Sequence, residues 1–181
     1  QLSIRGHGAR STFGVRGVQV FVDGIPATMP DGQGQTNNID LQSVERIEVL
    51  RGPYSTLYGN ASGGVINAYT ERGEGRPRID STFAVGSNGQ KRLGLKAQGE
   101  QSGVGYVVSA SRYLTDGWRA QSAADKNMFN ARLDTNPGDS GHLMLVANYV
   151  DVDALDPGGV TPADWQANAR AVAQGPIDYN M

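Results

Sequence analysis

The sequence contains no cysteine, which removes disulfides and thiolate metal sites from consideration. Its two histidines, His7 and His142, stand far apart with no second histidine beside either. Neither a zinc-type site nor histidine acid–base catalysis is expected from them. No run of about 18 apolar residues occurs, so a helical membrane span within the chain is excluded, and no basic segment followed by an apolar one opens it. Acidic and basic residues nearly balance, 18 against 16, for a net charge of −2. That gives no sign of a phosphate-binding surface, and nucleic acid is not an expected partner. Nucleotide motifs are missing too: Gly6 and Gly8 could open a dinucleotide fingerprint, but Ser11 stands where its third glycine belongs, and there is no Gly-Lys-Ser/Thr loop. No nucleophile and base constellation points to a hydrolase, and no cofactor is implied.

What the chain has in excess is glycine, 25 of 181 residues, while its apolar share of 38% lies below the usual ~45–50%. Many turns and a thin interior follow. The most informative stretch is Arg46 to Thr70, RIEVLRGPYSTLYGNASGGVINAYT. Ile47, Val49 and Leu50 suit a short buried strand, which Arg51-Gly52-Pro53 ends because proline offers no amide proton and restricts its predecessor. Pro53 is placed to open a short helix over Tyr54 to Tyr58, with Gly59 closing it in the left-handed conformation. Gly63 and Gly64 allow close backbone approach before an extended run resumes at Val65.

Upstream, Leu2 to Gly6 alternates as a strand does, and the sequence is expected to begin inside a domain. His7 to Gly17 reads as a flexible, cationic loop with arginines at 10 and 16. Val18 to Val22 is a strand, Asp23-Gly24 is a hairpin turn, and Pro26 confines the returning strand to an edge. Thr28 to Thr36 is a second glycine-rich loop, and Asp40 is placed to cap a helical turn through Val44.

These segments together resemble the plug domain of TonB-dependent outer-membrane receptors. The resemblance rests on Ser3 to Gly6 (SIRG), Val20 to Pro26 (VFVDGIP) and the closing IEVLRGP, YG and GGVIN, in that order. The string Pro26 to Gln35 (PATMPDGQGQ) is most similar to the subgroup containing the receptor for pyrroloquinoline quinone. The resemblance implies an α+β plug domain, a small-molecule ligand taken from outside, and the partner TonB, engaged through an N-terminal box that should precede Gln1. It also implies that Arg5 and Arg51, matching the arginines of the IRG and VLRG motifs, lock the plug to glutamates on the barrel wall, which would lie beyond Met181. Guanidinium suits that task because its rigid fork holds a carboxylate with two bonds. The plain alternative is a pair of solvated arginines.

After Thr70 the grammar changes. Glu71 to Arg78 is polar and broken by Gly and Pro, as linkers are. Five strands are then expected from alternation and turn signals: Arg78 to Val85, Lys91 to Gly99, Gly105 to Leu114, Met128 to Thr135 and His142 to Val150. Each has one greasy face and one polar or charged face. A soluble sandwich and a membrane barrel both fit that pattern. If a plug precedes them, the first strand runs outward, and the long connections 115–127 and after Asp151 fall on the extracellular side. Five strands cannot close a barrel around a plug, since plugged transporters use about 22. The chain therefore reads as a fragment: 1–70 the C-terminal part of a plug, 71–77 a linker, and 78–181 the first antiparallel strands of a transmembrane β-barrel facing outer-membrane lipid.

For ligand contact the two glycine-rich loops are favoured, being expected at the outward apex of the plug. Gln33 and Gln35 can donate and accept, Asp31 adds an acceptor, and Arg10 and Arg16 attract anions. Ordinary loop polarity is the competing explanation. Asp151, Asp153 and Asp156 look superficially like a calcium loop, but the spacing is wrong and the closing glutamate is missing, so a solvated acidic loop is expected. Trp118 and Trp165 fall in long loops as rim aromatics or simple packing. The function expected is non-enzymatic uptake of a scarce ligand (siderophore, cobalamin, quinone cofactor or similar) across the outer membrane of a Gram-negative bacterium. A soluble β-rich binding module or adhesin is the alternative.

Overall fold

In the computed structural model the described residues are 3, 4, 6, 15–27, 33, 34, 36–59, 61–138 and 140–172. Val18–Val22 (β1), Ile25–Pro26 (β2), Val44–Arg51 (β3) and Gly64–Thr70 (β4) form a first sheet in the order β2-β1-β4-β3, with β1 and β4 parallel. Asp23 and Gly24 turn β1 into β2 at φ of 51° and 80°, the left-handed pair that a two-residue hairpin needs. Pro26 stands on the sheet edge, where a residue without an amide proton is tolerated. Between β3 and β4 comes a short helix, Ser55–Tyr58 (α1), closed by Gly59 at φ 73°. Gly64 is obligatory: its φ is 148°, and any side chain there would run into the Leu50 carbonyl.

The interior of this sheet is thin, made of Val18, Val20, Ala61, Val65 and Ala68 with Ile4, Val15 and Ile66 around them. Two expectations fail here. Ile47 and Val49 are half exposed, at 50% and 49%, because β3 is an edge strand bonded only to β4. Asp40 caps no helix: its carboxylate accepts from Gln42 N at 3.1 Å in a tight turn, and β3 begins at Val44. Of the strand expected over residues 2–6, only 3, 4 and 6 fall within the described residues.

The second sheet is an antiparallel meander in chain order: Arg78–Val85 (β5), Lys91–Gln101 (β6), Val104–Thr115 (β7), Ala124–Thr135 (β8) and Leu143–Ala154 (β9). A helix, Pro162–Ala167 (α2), with a Thr161–Asp164 capping box, lies in the connection after β9. The strands outrun their outward apolar band. β8 starts four residues before Met128, and β9 continues four residues past Val150. Asp151 and Asp153 therefore stand in β9 rather than in a solvated acidic loop, and only Asp156 is in a loop, accepting from Gly158 N at 2.8 Å. The ladder continues there with Val152 and Ala154 on the inner face and Asp151 and Asp153 on the outer one.

The meander is inside out relative to a soluble sheet. Ile79, Phe83, Leu93, Leu95, Phe129, Leu133, Leu145 and Tyr149 face away from the first sheet and are exposed. The opposite face, with Gln98, Ser109, Asn130, Arg132 and Asp134, is buried against the first sheet and the turn before β3. A sandwich would need the reverse.

The exposed apolar band also slopes. Val85 on β5 is level, through Lys91, Leu114 and Asp125, with Asp153 on β9, four residues beyond Tyr149 where the band stops. At ~3.4 Å per residue and ~4.8 Å per strand spacing, that retreat over four spacings is a slope of roughly 35°. Barrel strands tilt by typically ~35–45° against their axis. With Leu114 as the exception, Arg112, Asn127, Asp125, Asp151 and Asp153 occupy the outward face beyond the band.

Candidate functional site

The site is the seam where the polar face of the meander meets the first sheet. Its centre is Arg132 on β8, 4% exposed. Nε donates to Asp134 Oδ2 at 2.5 Å and Nη2 to Asp134 Oδ1 at 2.9 Å, a two-pronged pair within one strand. Nη1 crosses the seam, donating to Asp23 Oδ1 at 2.8 Å, to the Thr70 carbonyl at 2.9 Å and to Thr70 Oγ1 at 3.0 Å. Asp23 in turn accepts from Thr70 N at 2.9 Å and Thr70 Oγ1 at 2.6 Å. One guanidinium thus gathers the adjacent ends of the parallel strands β1 and β4. His142 Nε2 lies 3.2 Å from Asp134 Oδ1 at the edge of the cluster.

Further along the seam, the Ser109 hydroxyl donates to Asp40 Oδ2, and Asn130 Nδ2 donates to Ser43 Oγ at 3.1 Å. Ser43 is itself fixed, its N and Oγ both donating to the Asp40 carbonyl. Lys126 Nζ donates to the Asn37 carbonyl, and Asn148 Nδ2 to that of Asn38 at 3.3 Å. Where the chain passes between the sheets, Lys96 Nζ donates to both oxygens of Glu71 at 3.0 Å. A cavity of about 290 Å³ remains between the bodies, lined by Val22, Ile25, Pro26, Thr70 and Val146 among others. Away from the seam, Glu48 accepts from Arg46 Nε at 3.0 Å, and this bond raises the guanidinium above its ordinary pKa.

Among the residues expected to act, Arg5, Arg10, Asp31 and Gln35 lie outside the described residues. Arg16 is exposed and Gln33 half-buried. The bridge between Val15 and Gly34, their immediate neighbours, brings the two loop segments side by side. Arg51 is exposed at the end of β3 and has no carboxylate partner among the described residues. Trp118 and Trp165 do meet, with ring centroids 5.7 Å apart. The loops carrying them are tied by Arg119, which donates to the carbonyls of Pro157, Gly158 and Ala171. No group of described side chains is suited to hold a metal ion.

Asp23, Asp40, Thr70, Arg132 and Asp134 were not foreseen as a group. Asp23 reads as a turn residue, which it also is, and Asp40 as a helix cap, which it is not. The available signal was Arg132 and Asp134 on one strand face two residues apart, opposite charges opposed to Ala131 and Leu133.

Residues 1–65 match the family described as TonB-dependent Receptor Plug Domain. The pesticin receptor of Yersinia enterocolitica is 36% identical over 120 residues, covering 64% of this chain and 17% of the receptor. The ferrienterobactin receptor of Escherichia coli K12 is 37% identical over 87 residues, 41% of this chain and 11% of that protein. Among solved structures, the ferric yersiniabactin uptake receptor FyuA of Yersinia pestis superposes with a TM-score of 0.65 at 29% identity, covering 76% of this chain and 23% of that one. The ferric citrate transporter FecA, at 23% identity, shares the fold with a TM-score of 0.70 over 88% of this chain and 27% of its own. The chain thus spans under a fifth of the length of the pesticin and ferrienterobactin receptors.

Proposed function

We propose that this chain, which has the fold of a TonB-dependent receptor plug domain continuing into the first antiparallel strands of a barrel, serves the uptake of a scarce ligand across the outer membrane of a Gram-negative bacterium. The observation that carries this is the inside-out meander: its polar face is buried on the plug and its apolar face is bare, which is stable where that face meets lipid. The role is transport rather than catalysis. TonB is the partner that supplies energy, through a box upstream of this segment, and residues 1–70, 71–77 and 78–181 are plug, linker and barrel start.

A ferric siderophore is the first candidate ligand, supported by the names of the relatives, which include ferrienterobactin and ferric yersiniabactin. The quinone cofactor reading rests on a different observation, the Pro26 to Gln35 string. In either case Arg10, Arg16, Asp31, Gln33 and Gln35 present donors, acceptors and positive charge from the two loops joined beside Val15 and Gly34. Arg5 and Arg51 act as locks against wall carboxylates further along the barrel.

A deletion strain tested for growth on ferric enterobactin, ferric yersiniabactin, cobalamin and pyrroloquinoline quinone as limiting nutrients decides between these. Loss of growth on one, restored by the full-length gene, assigns the ligand. Unimpaired growth on all four rejects uptake of these classes. Replacing Gln33 and Gln35 together should weaken ligand binding to the full-length receptor at least tenfold; unchanged affinity removes them from the site.

A further inference from the structure

We infer that Arg132 is a reversible catch between plug and wall, its hold set by competition between Asp23 of the plug and Asp134 of the wall for one guanidinium. The inference rests on the transport reading for its purpose, but its geometry does not depend on which ligand is carried.

A buried ion pair is ordinarily hard to part, because separating the partners leaves each charge without compensation. This one is arranged differently. Arg132 is already neutralised from its own strand, with Nε and Nη2 both on Asp134. Asp23 is already bonded within the plug, by the amide and the hydroxyl of Thr70. Only Nη1 spans the seam. When plug and wall part at this point, Arg132 keeps its carboxylate and Asp23 keeps its two donors, so neither side is stripped. The left-handed Asp23-Gly24 turn holds the carboxylate in place meanwhile, ready to re-engage.

The two carboxylates therefore have opposite effects. Asp23 draws the guanidinium across the seam, and Asp134 draws charge away from that contact. A purely structural pair would suffer from the loss of either partner. A catch governed by competition tightens when Asp134 loses its charge and loosens when Asp23 does.

The test is amide hydrogen exchange in the purified full-length receptor, comparing wild type with Asp23→Asn and Asp134→Asn at the 24–27 segment and leaving out the Thr70 amide, whose acceptor is Asp23 itself. Exchange there should rise about tenfold or more in Asp23→Asn and fall by about threefold in Asp134→Asn, since Ala27 N is held by the Val20 carbonyl within the plug and exchanges when this end of β1 and β2, released from Arg132, frays. Heat-modified gel mobility confirms that each barrel has assembled. If Asp134→Asn does not assemble, Arg132→Lys, which keeps the charge and loses the fork, should raise exchange as Asp23→Asn does. In cells, Asp23→Asn should increase sensitivity to vancomycin, a probe of plug seating that needs no ligand. Exchange moving the same way in both Asn variants, or in neither, overturns the catch, as does an unchanged Arg132→Lys. A strain with no uptake phenotype would defeat the transport reading and leave the exchange result standing, so the two failures are distinguishable.

Discussion

Gly73 and Tyr106 are packed backbone against backbone. Gly73 sits at φ 71° in the segment between the two sheets, and a methyl group there would overlap the main chain of Tyr106 on β7. Gly75, two residues on, has nearly the same conformation at φ 76° but open space where a side chain would go. Comparing the two separates backbone strain from packing.

Gly75→Ala should cost about 1 kcal/mol, the strain of a left-handed alanine. Gly73→Ala adds a clash with rigid main chain and should cost roughly 3 kcal/mol or more. Unfolding midpoints of the two full-length variants provide the check. Equal losses would mean that the segment between the two sheets does not press on β7.

Ala131 and Asn127 lie on the outward face of β8, one within the apolar band and one beyond it. Lysine at 131 should destabilise the protein by ~2–4 kcal/mol in lipid, and lysine at 127 by about 1 kcal/mol or less, because the cost of charge on a lipid-facing strand depends on depth. Reversible folding of the full-length protein into vesicles measures both. If lysine at 131 were as harmless as at 127, that face would be meeting water.

The Ser109 hydroxyl and Asp40 carboxylate are both buried, at 2% and 6% exposure. Ser109→Ala removes the donor and leaves Asp40 with the amide of Gln42, at a cost of about 1–3 kcal/mol. Asp40→Ala also frees the turn before β3 and should cost more. A double-mutant cycle on the two should show coupling; additive losses would contradict a direct bond.

Arg119 holds the connection after β7 to the one after β9 through three carbonyls. Arg119→Ala should leave the barrel intact and raise protease cleavage between residues 156 and 172 severalfold, since a loop's own backbone bonds are few there. Cleavage at the wild-type rate would show that the contacts of Trp118 with Trp165 and Arg170 are enough to keep the loops together.

Much of the local structure was legible. Asp23-Gly24, Pro26, the Gly52-Pro53 break and Gly59 each act where the φ they favour is needed, and that preference belongs to the residue itself. The strand ends at Ala124 and Ala154 were not legible, because beyond the apolar band the outer face turns polar, with Asp125, Asn127, Asp151 and Asp153, and the outward apolar period that marked the strands stops. The exposure of Ile47 was missed for a related reason: an apolar residue at an edge looks the same in sequence as one in a core.

By itself the sequence determined where strands run and turn, since both follow from dihedral preference and a period of two that act within a few residues. Which face of the meander is inside was decided only by the tertiary structure, because the same alternation serves a sheet closed over oil and one wrapped around a polar plug. The seam was decided there too: Arg132 and Asp23 are separated by 109 positions, and a charge chooses its partner by distance in space, which no local pattern encodes.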